Sequence, residues 1–167
     1  MSIFKVIRSS DDGLAHLQDR LTYIRRVVAT MMEYTYGVAV SEHDPYTSML
    51  IVKRTYGQCD GKSHFHYVLN PEEDDFLNMK IDDFYETGVE LAKAISCFHG
   101  NYQVVMAIHF DSDYPHIHFI ANNVDYMNGE RLNLSPQCLK ELKDMVSDIL
   151  VKYGISPIRQ WRRPTCM

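Results

Sequence analysis

Two short apolar runs rich in β-branched residues, Gln103 to Ile108 and Ile117 to Ile120, flank a polar stretch that contains Asp111, Ser112, Asp113 and Pro115. Runs of this length and composition suit strands, and Asp, Ser and Pro between them signal a turn. The chain is therefore committed to an antiparallel hairpin over this region. Side chains alternate across a strand, so His116 and His118 share a face and lie about 7 Å apart. If His109 sits opposite them, three imidazoles converge on one point. A lone histidine in a strand is usually a hydrogen-bonded core residue, but three on one face leave several ring nitrogens in need of partners, each costing about 1 to 3 kcal/mol if unmet. A divalent metal ion held by His109, His116 and His118 removes that penalty. Three protein ligands leave coordination positions open, which favours catalysis over a structural knot. Asp111 is expected behind a ring, as the carboxylate that fixes its tautomer.

With 167 residues, 46% of them hydrophobic, the chain is long enough for one well-buried core and short for two. A single domain over residues 1–167 is expected, with a tail from about 157. Cys59, Cys97, Cys138 and Cys166 show no paired short spacing and read as free thiols in a reducing compartment. The first residues have no leader pattern, and no stretch approaches the roughly 20 apolar residues of a membrane span. These features predict a cytoplasmic location.

Alternation predicts a strand over Ile3 to Ile7. Ser9 to Asp12 then offer an N-cap for a helix from Leu14 to Thr30, with Leu14, Leu17, Leu21, Ile24 and Val28 inward. Ser48 to Tyr56 and Ser63 to Leu69 are strand candidates, the second with His64 and His66 on one face. Residues 70–75 form a turn, and Ile81 to Ser96 a helix with Phe84, Gly88, Leu91 and Ile95 inward. After the hairpin, Asn128-Gly129 marks a turn. Ser135-Pro136 opens a last helix, with Leu139, Leu142, Val146, Ile149 and Leu150 on its apolar side and Gly154 at its end. The pattern implies an α+β domain with a mainly antiparallel sheet covered by helices.

The segment YQVVMAIHFDSDYPHIHFIANNVD, followed by NGERLNLSPQCLKELKDMVSDIL, resembles the metal-binding motif and following helix of relaxases, the mobilisation nucleases of plasmids and integrative conjugative elements. The opening IFKVIRSS and LAHLQDRLTYIRRVV is similar to the relaxase strand and nucleophile-bearing helix. SHFHYVLNPEED resembles the strand before their acidic region. These proteins are HUH endonucleases, named for two histidines around a hydrophobic residue, here His116-Ile117-His118. The resemblance implies an HUH endonuclease-like fold. It also implies metal-dependent nicking and rejoining of single-stranded DNA at an origin of transfer through a 5′-phosphotyrosyl link. Further implied are Mn²⁺ or Mg²⁺ as cofactor, and accessory mobilisation and coupling proteins as partners.

The residue types suit that chemistry on their own terms. Attack on a phosphodiester is slow unless a cation offsets the charge that builds on the phosphoryl oxygens, and a phenol of pKa near 10 needs a base or cation to react at neutral pH. Tyr23, on the expected helix flank with His16, Asp19 and Arg26, is the candidate nucleophile. Tyr34 and Tyr36 are lesser candidates. After Tyr23, Ile24 to Val28 continue the helical pattern, whereas many relaxases leave the helix there through a loop. His66 can reach the metal, its water or a phosphate, or simply line the sheet with His64.

The net charge of −5 argues against a polyanionic partner, since phosphate neutralisation supplies much of DNA affinity. The deficit is local. Residues 71–100 hold eight acidic and two basic side chains, which leaves Arg20, Arg25, Arg26, Lys53 and Arg54 as a possible DNA-binding surface. Arg159 to Arg163, with Trp161, add cationic and stacking groups. A small-substrate phosphoesterase would need the three histidines and not Tyr23, and a non-catalytic DNA-binding relative would need neither for turnover.

Overall fold

The computed structural model describes residues 1–8 and 13–159. Ten elements follow in order: β1 (Ile3–Ile7), α1 (Leu14–Ile24), β2 (Thr35–Val38), α2 (Pro45–Thr55), β3 (His64–Asn70), α3 (Glu73–Leu77), α4 (Ile81–Ser96), β4 (Val104–His109), β5 (His116–Asn122) and α5 (Pro136–Lys152). A single 3₁₀ turn, Met32–Tyr34, precedes β2. The strands form one sheet in the order β1-β3-β5-β4-β2, with every neighbouring pair antiparallel. The fold is the α+β architecture predicted from the pattern.

Alternation sorts the strands into two chemically distinct faces. Phe65, Tyr67, Leu69, Met106, Ile108, Ile117 and Phe119 form the larger core with Phe84, Leu91 and Ile95 of α4 and Leu142, Val146 and Leu150 of α5. On the other face Val105, Ala107 and Ile120 pack against Leu17, Leu21 and Ile24 of α1 and Met49 of α2. Burying each such side chain contributes about 1.5 to 3 kcal/mol. Gly88 marks the tightest approach of α4 to the sheet: a Cβ there would lie 3.0 Å from Met106 and 3.1 Å from Ile117. The exposed carboxylates of α4, Asp82, Asp83 and Glu86, stand on the side of the sheet away from α1.

The central hairpin, the helix over Ile81–Ser96 and the last helix follow the sequence pattern. Ser135 Oγ caps α5 by accepting from Cys138 N, Pro136 opens it, and Gly154 (φ 73°) follows its end. Three segments differ. The run Ser48 to Tyr56 lies in a helix, because Asp44 caps the chain at Thr47 N, Pro45 starts the turn, and Pro45, Met49 and Lys53 line one buried face at a spacing of four. Residues 70–75 lead into the short helix α3, whose Phe76 packs on Tyr114 of the hairpin turn.

The third difference is the length of α1, which stops at Ile24 instead of Thr30, leaving Val28 81% exposed. Arg25 N–H closes the helix on Thr22 O and Arg26 N–H on Tyr23 O, and β-branched Val27 and Val28 have little tendency to extend it. The released carbonyls find other donors: His109 Nε2 donates to Ile24 O and Phe110 N to Ala29 O. The capping residues expected at Ser9 to Asp12 lie outside the described residues, where Gly13 takes the N-cap position.

Candidate active site

The strand register brings the histidines together. His109 pairs directly with His116, and His118 pairs with Ala107 one step inward, so all three project from the face covered by α1. One ring nitrogen of each lies within 4.8 Å of the others. The rings of His109 and His118 are 4.2 Å apart, and His116 is 4.9 Å from His118.

Each imidazole has one nitrogen engaged and one turned inward. His109 Nε2 donates to Ile24 O at 2.9 Å, which leaves the buried Nδ1 with a lone pair and no hydrogen-bond partner. His118 Nδ1 meets His66 Nε2 at 2.8 Å, and its buried Nε2 likewise has none. His116 Nδ1 faces Ser112 Oγ at 3.1 Å, leaving Nε2 toward the cluster. Two orphaned, inward-facing nitrogens on a buried polar cluster are what a divalent cation would satisfy, so the donor set fits a metal. Burial, reinforced by the neighbouring histidines, pushes His118 down to about 2, and burial also lowers His109. Both rings are held neutral, as ligands must be.

Tyr23, in the last turn of α1, stands directly over this cluster. Its ring centroid is 5.5 Å from His109 and 5.7 Å from His118. The Arg26 guanidinium lies 4.0 Å above the Tyr23 ring and pairs with Asp111. Asp111 sits on the inner side of the rings, 3.7 Å from His109 Nδ1 and 4.0 Å from His116 Nε2. Ring tautomers are fixed instead by the Ile24 carbonyl, Ser112 and His66, of which only Ser112 lies in the hairpin sequence.

His66 lies behind His118, engaging its outer nitrogen, rather than on the inner side. His64 is bonded to Ser63. Tyr34 and Tyr36 are on the wrong side of the sheet: Tyr34 packs on Phe110 and Tyr85, and both belong to the α4-facing core. Lys53 is wholly buried, donating to Asn123 Oδ1 at 2.7 Å, and offers no surface to DNA. This corrects its expected place on a DNA-binding surface, which rested on the distribution of charge along the sequence and took no account of burial. Arg54 is exposed at the far end of α2, whereas Arg20 bonds His16 and Arg25 bonds Glu42 O near α1. A groove of about 680 Å³ runs beside the end of α1, between Thr22, Arg25 and Arg26 on one wall and Asp44, Tyr46 and Thr47 on the other. Of Arg159 to Arg163, only Arg159 is described; residues 157–159 lie along Ser2, with Ile158 buried.

An antiparallel sheet presenting a His-hydrophobe-His pair and a third histidine beneath a helix-borne tyrosine is an HUH endonuclease-like arrangement. The chain belongs to the family of MobA/VirD2-like relaxase nuclease domains, which matches residues 23–155. It is 26% identical over 110 residues to Protein rlx of Staphylococcus aureus, an alignment covering 66% of this chain. The chain spans about a third of the length of that relative, of which 32% is covered. Among solved structures it is similar in fold to the MobM relaxase domain bound to plasmid pMV158 oriT DNA and Mn, with a TM-score of 0.70 at 12% identity over 99% of this chain and 93% of that one. A second crystal structure of the same domain with a 23-nucleotide oriT DNA gives 0.67 at 13% identity, covering 99% and 92%.

Proposed function

We propose that the chain is the nuclease domain of a DNA relaxase, residues 1–167 forming one unit, and that it nicks and rejoins single-stranded DNA at an origin of transfer. The observation that carries this reading is the Tyr23 ring standing within 6 Å of two imidazoles whose inner nitrogens have no partner. Mn and oriT DNA in the MobM relaxase structures support the choice of cofactor and substrate. No helix among the described residues is long and apolar enough to cross a membrane, and we place the domain in the cytoplasm, with its DNA and with mobilisation and coupling partners.

His109 Nδ1, His116 Nε2 and His118 Nε2 would hold the cation, here Mn²⁺ or Mg²⁺. Bound there, it would draw off the charge that builds on the phosphoryl oxygens. Tyr23 Oη attacks phosphorus in line with the 3′-oxygen. The P–O3′ bond breaks, the phosphate stays on the tyrosine, and the 3′-hydroxyl leaves with the proton that the phenol gives up. Arg26 stacks over the Tyr23 ring and orients it, and Asp111 holds Arg26 in place. Phosphotyrosine keeps the bond energy, so the reverse attack reseals the strand. The groove beside Arg25 and Arg26 offers the strand a path past the nucleophile.

The test is incubation with labelled single-stranded oligonucleotides carrying candidate origins, with Mn²⁺ or chelator, followed by a denaturing gel. A metal-dependent covalent protein–DNA adduct that is absent in Tyr23→Phe is expected. Cleavage that persists in Tyr23→Phe would point to a metal phosphoesterase instead.

A further inference from the structure

A second set of metal-type donors lies beyond the opposite end of β4 from His109, a strand roughly 17 Å long at 3.3 Å per residue. His99, Cys138 and Glu141 each bring one ligand atom within 4.8 Å of the other two. His99 comes from the turn between α4 and β4. Cys138 and Glu141 come from the first turns of α5, where a spacing of three puts them on one helix face.

The donors are positioned before any ion arrives. His99 adopts the left-handed conformation, φ 54°, unusual for a residue with a side chain, and its ring lies edge-on to Phe98 with centroids 4.4 Å apart. Its Nε2 is 3.0 Å from Glu141 Oε2. The other carboxylate oxygen accepts from Gln137 Nε2 at 2.8 Å, which fixes the orientation of the group. Cys138 is locked into the helix start by its own N–H bond to Ser135 Oγ. As a plain ion pair, His99 and Glu141, with side chains 51% and 41% exposed, would contribute little to stability and would not offset the backbone strain at His99.

Sulfur, imidazole nitrogen and carboxylate oxygen from three side chains suit a small borderline cation of tetrahedral preference, and exclude Mg²⁺ and Ca²⁺, which take oxygen. We propose that His99, Cys138 and Glu141 bind Zn²⁺, with solvent in the fourth position, pinning the turn after α4 to the start of α5. The nucleolytic histidines offer no sulfur, so the two sites differ spectroscopically.

The experiment is a Co²⁺ titration of the full chain. Two equivalents are expected, one of them giving a near-ultraviolet thiolate-to-cobalt charge-transfer band that Zn²⁺ removes. Cys138→Ser should lose the band and one equivalent, while His118→Ala keeps the band. His99→Asn and Glu141→Gln should weaken that equivalent about ten-fold or more. Circular dichroism of each variant checks that the fold is retained. Absence of the band in the wild type, or its persistence in a folded Cys138→Ser, would overturn the proposal.

Discussion

A histidine is prepared as a ligand when one of its nitrogens is already engaged, and in this domain the engaging groups come from three places: a helix end, a turn serine and a third strand. His66 is the most exposed to test, because it touches His118 and not the inner side of the cluster. His66→Leu should lower Mn²⁺ affinity by about 10- to 100-fold while leaving Tyr23 in place, as measured by calorimetric titration. Adduct formation should recover at high Mn²⁺. The convergence of His109, His116 and His118, the proposed ligands, was legible in the sequence because one hairpin holds them all. Of the groups that orient them, only Ser112 lies in the hairpin; the Ile24 carbonyl and His66 are 85 and 52 residues away and meet their rings only through tertiary packing. Lys53 shows the same limit. Burial pushes its ammonium down to about 7, far below the ordinary lysine value. Between that value and the unfolded one near 10.5, the unfolded chain binds a proton that the folded chain lacks, so stability rises with pH across this window and the burial penalty is fully present below it. In urea unfolding, wild type should gain roughly 1 to 2 kcal/mol relative to Lys53→Met between pH 7 and pH 9.

Among the elements, periodicity identified those whose local signals agree with their packing. In α4 the apolar residues fall on one face, and in α5 the cap, the proline and the closing glycine all point the same way. Ser135→Ala should cost about 1 kcal/mol, read as a shift of the urea midpoint at unchanged slope. In α2 the β-branched Ile51 and Val52 fit a strand, yet the informative signal lay six to seven residues before Ile51, in Pro45 and Asp44. In α1 periodicity ran past the true end. What stops the helix is competition for its carbonyls by His109 and Phe110, which are 85 and 81 residues further along the chain and beyond any local window. The proposed nucleophile Tyr23 and the proposed metal ligand His109 are therefore joined through one helical turn.

For the molecule as a whole, strand order and the division of the sheet into two faces decide what each side does. The pattern of strands and helices indicated the fold class. The order β1-β3-β5-β4-β2 depends on pairings between distant segments and was not readable from periodicity. With Lys53 buried, the cations near Tyr23 reduce to Arg20, Arg25 and Arg26. About three phosphate contacts predict a shallow salt dependence, with log K against log salt sloping near −2, measurable by anisotropy with a fluorescent oligonucleotide. The acidic helix α4 adds a consequence of its own. Its exposed Asp82, Asp83 and Glu86 stand on the side of the sheet away from the histidines, so they add like-charge repulsion for a polyanion approaching from the α4 side. Under the proposed function, these α4 carboxylates would work as a rudder, turning the Tyr23 side of the sheet toward the strand before contact.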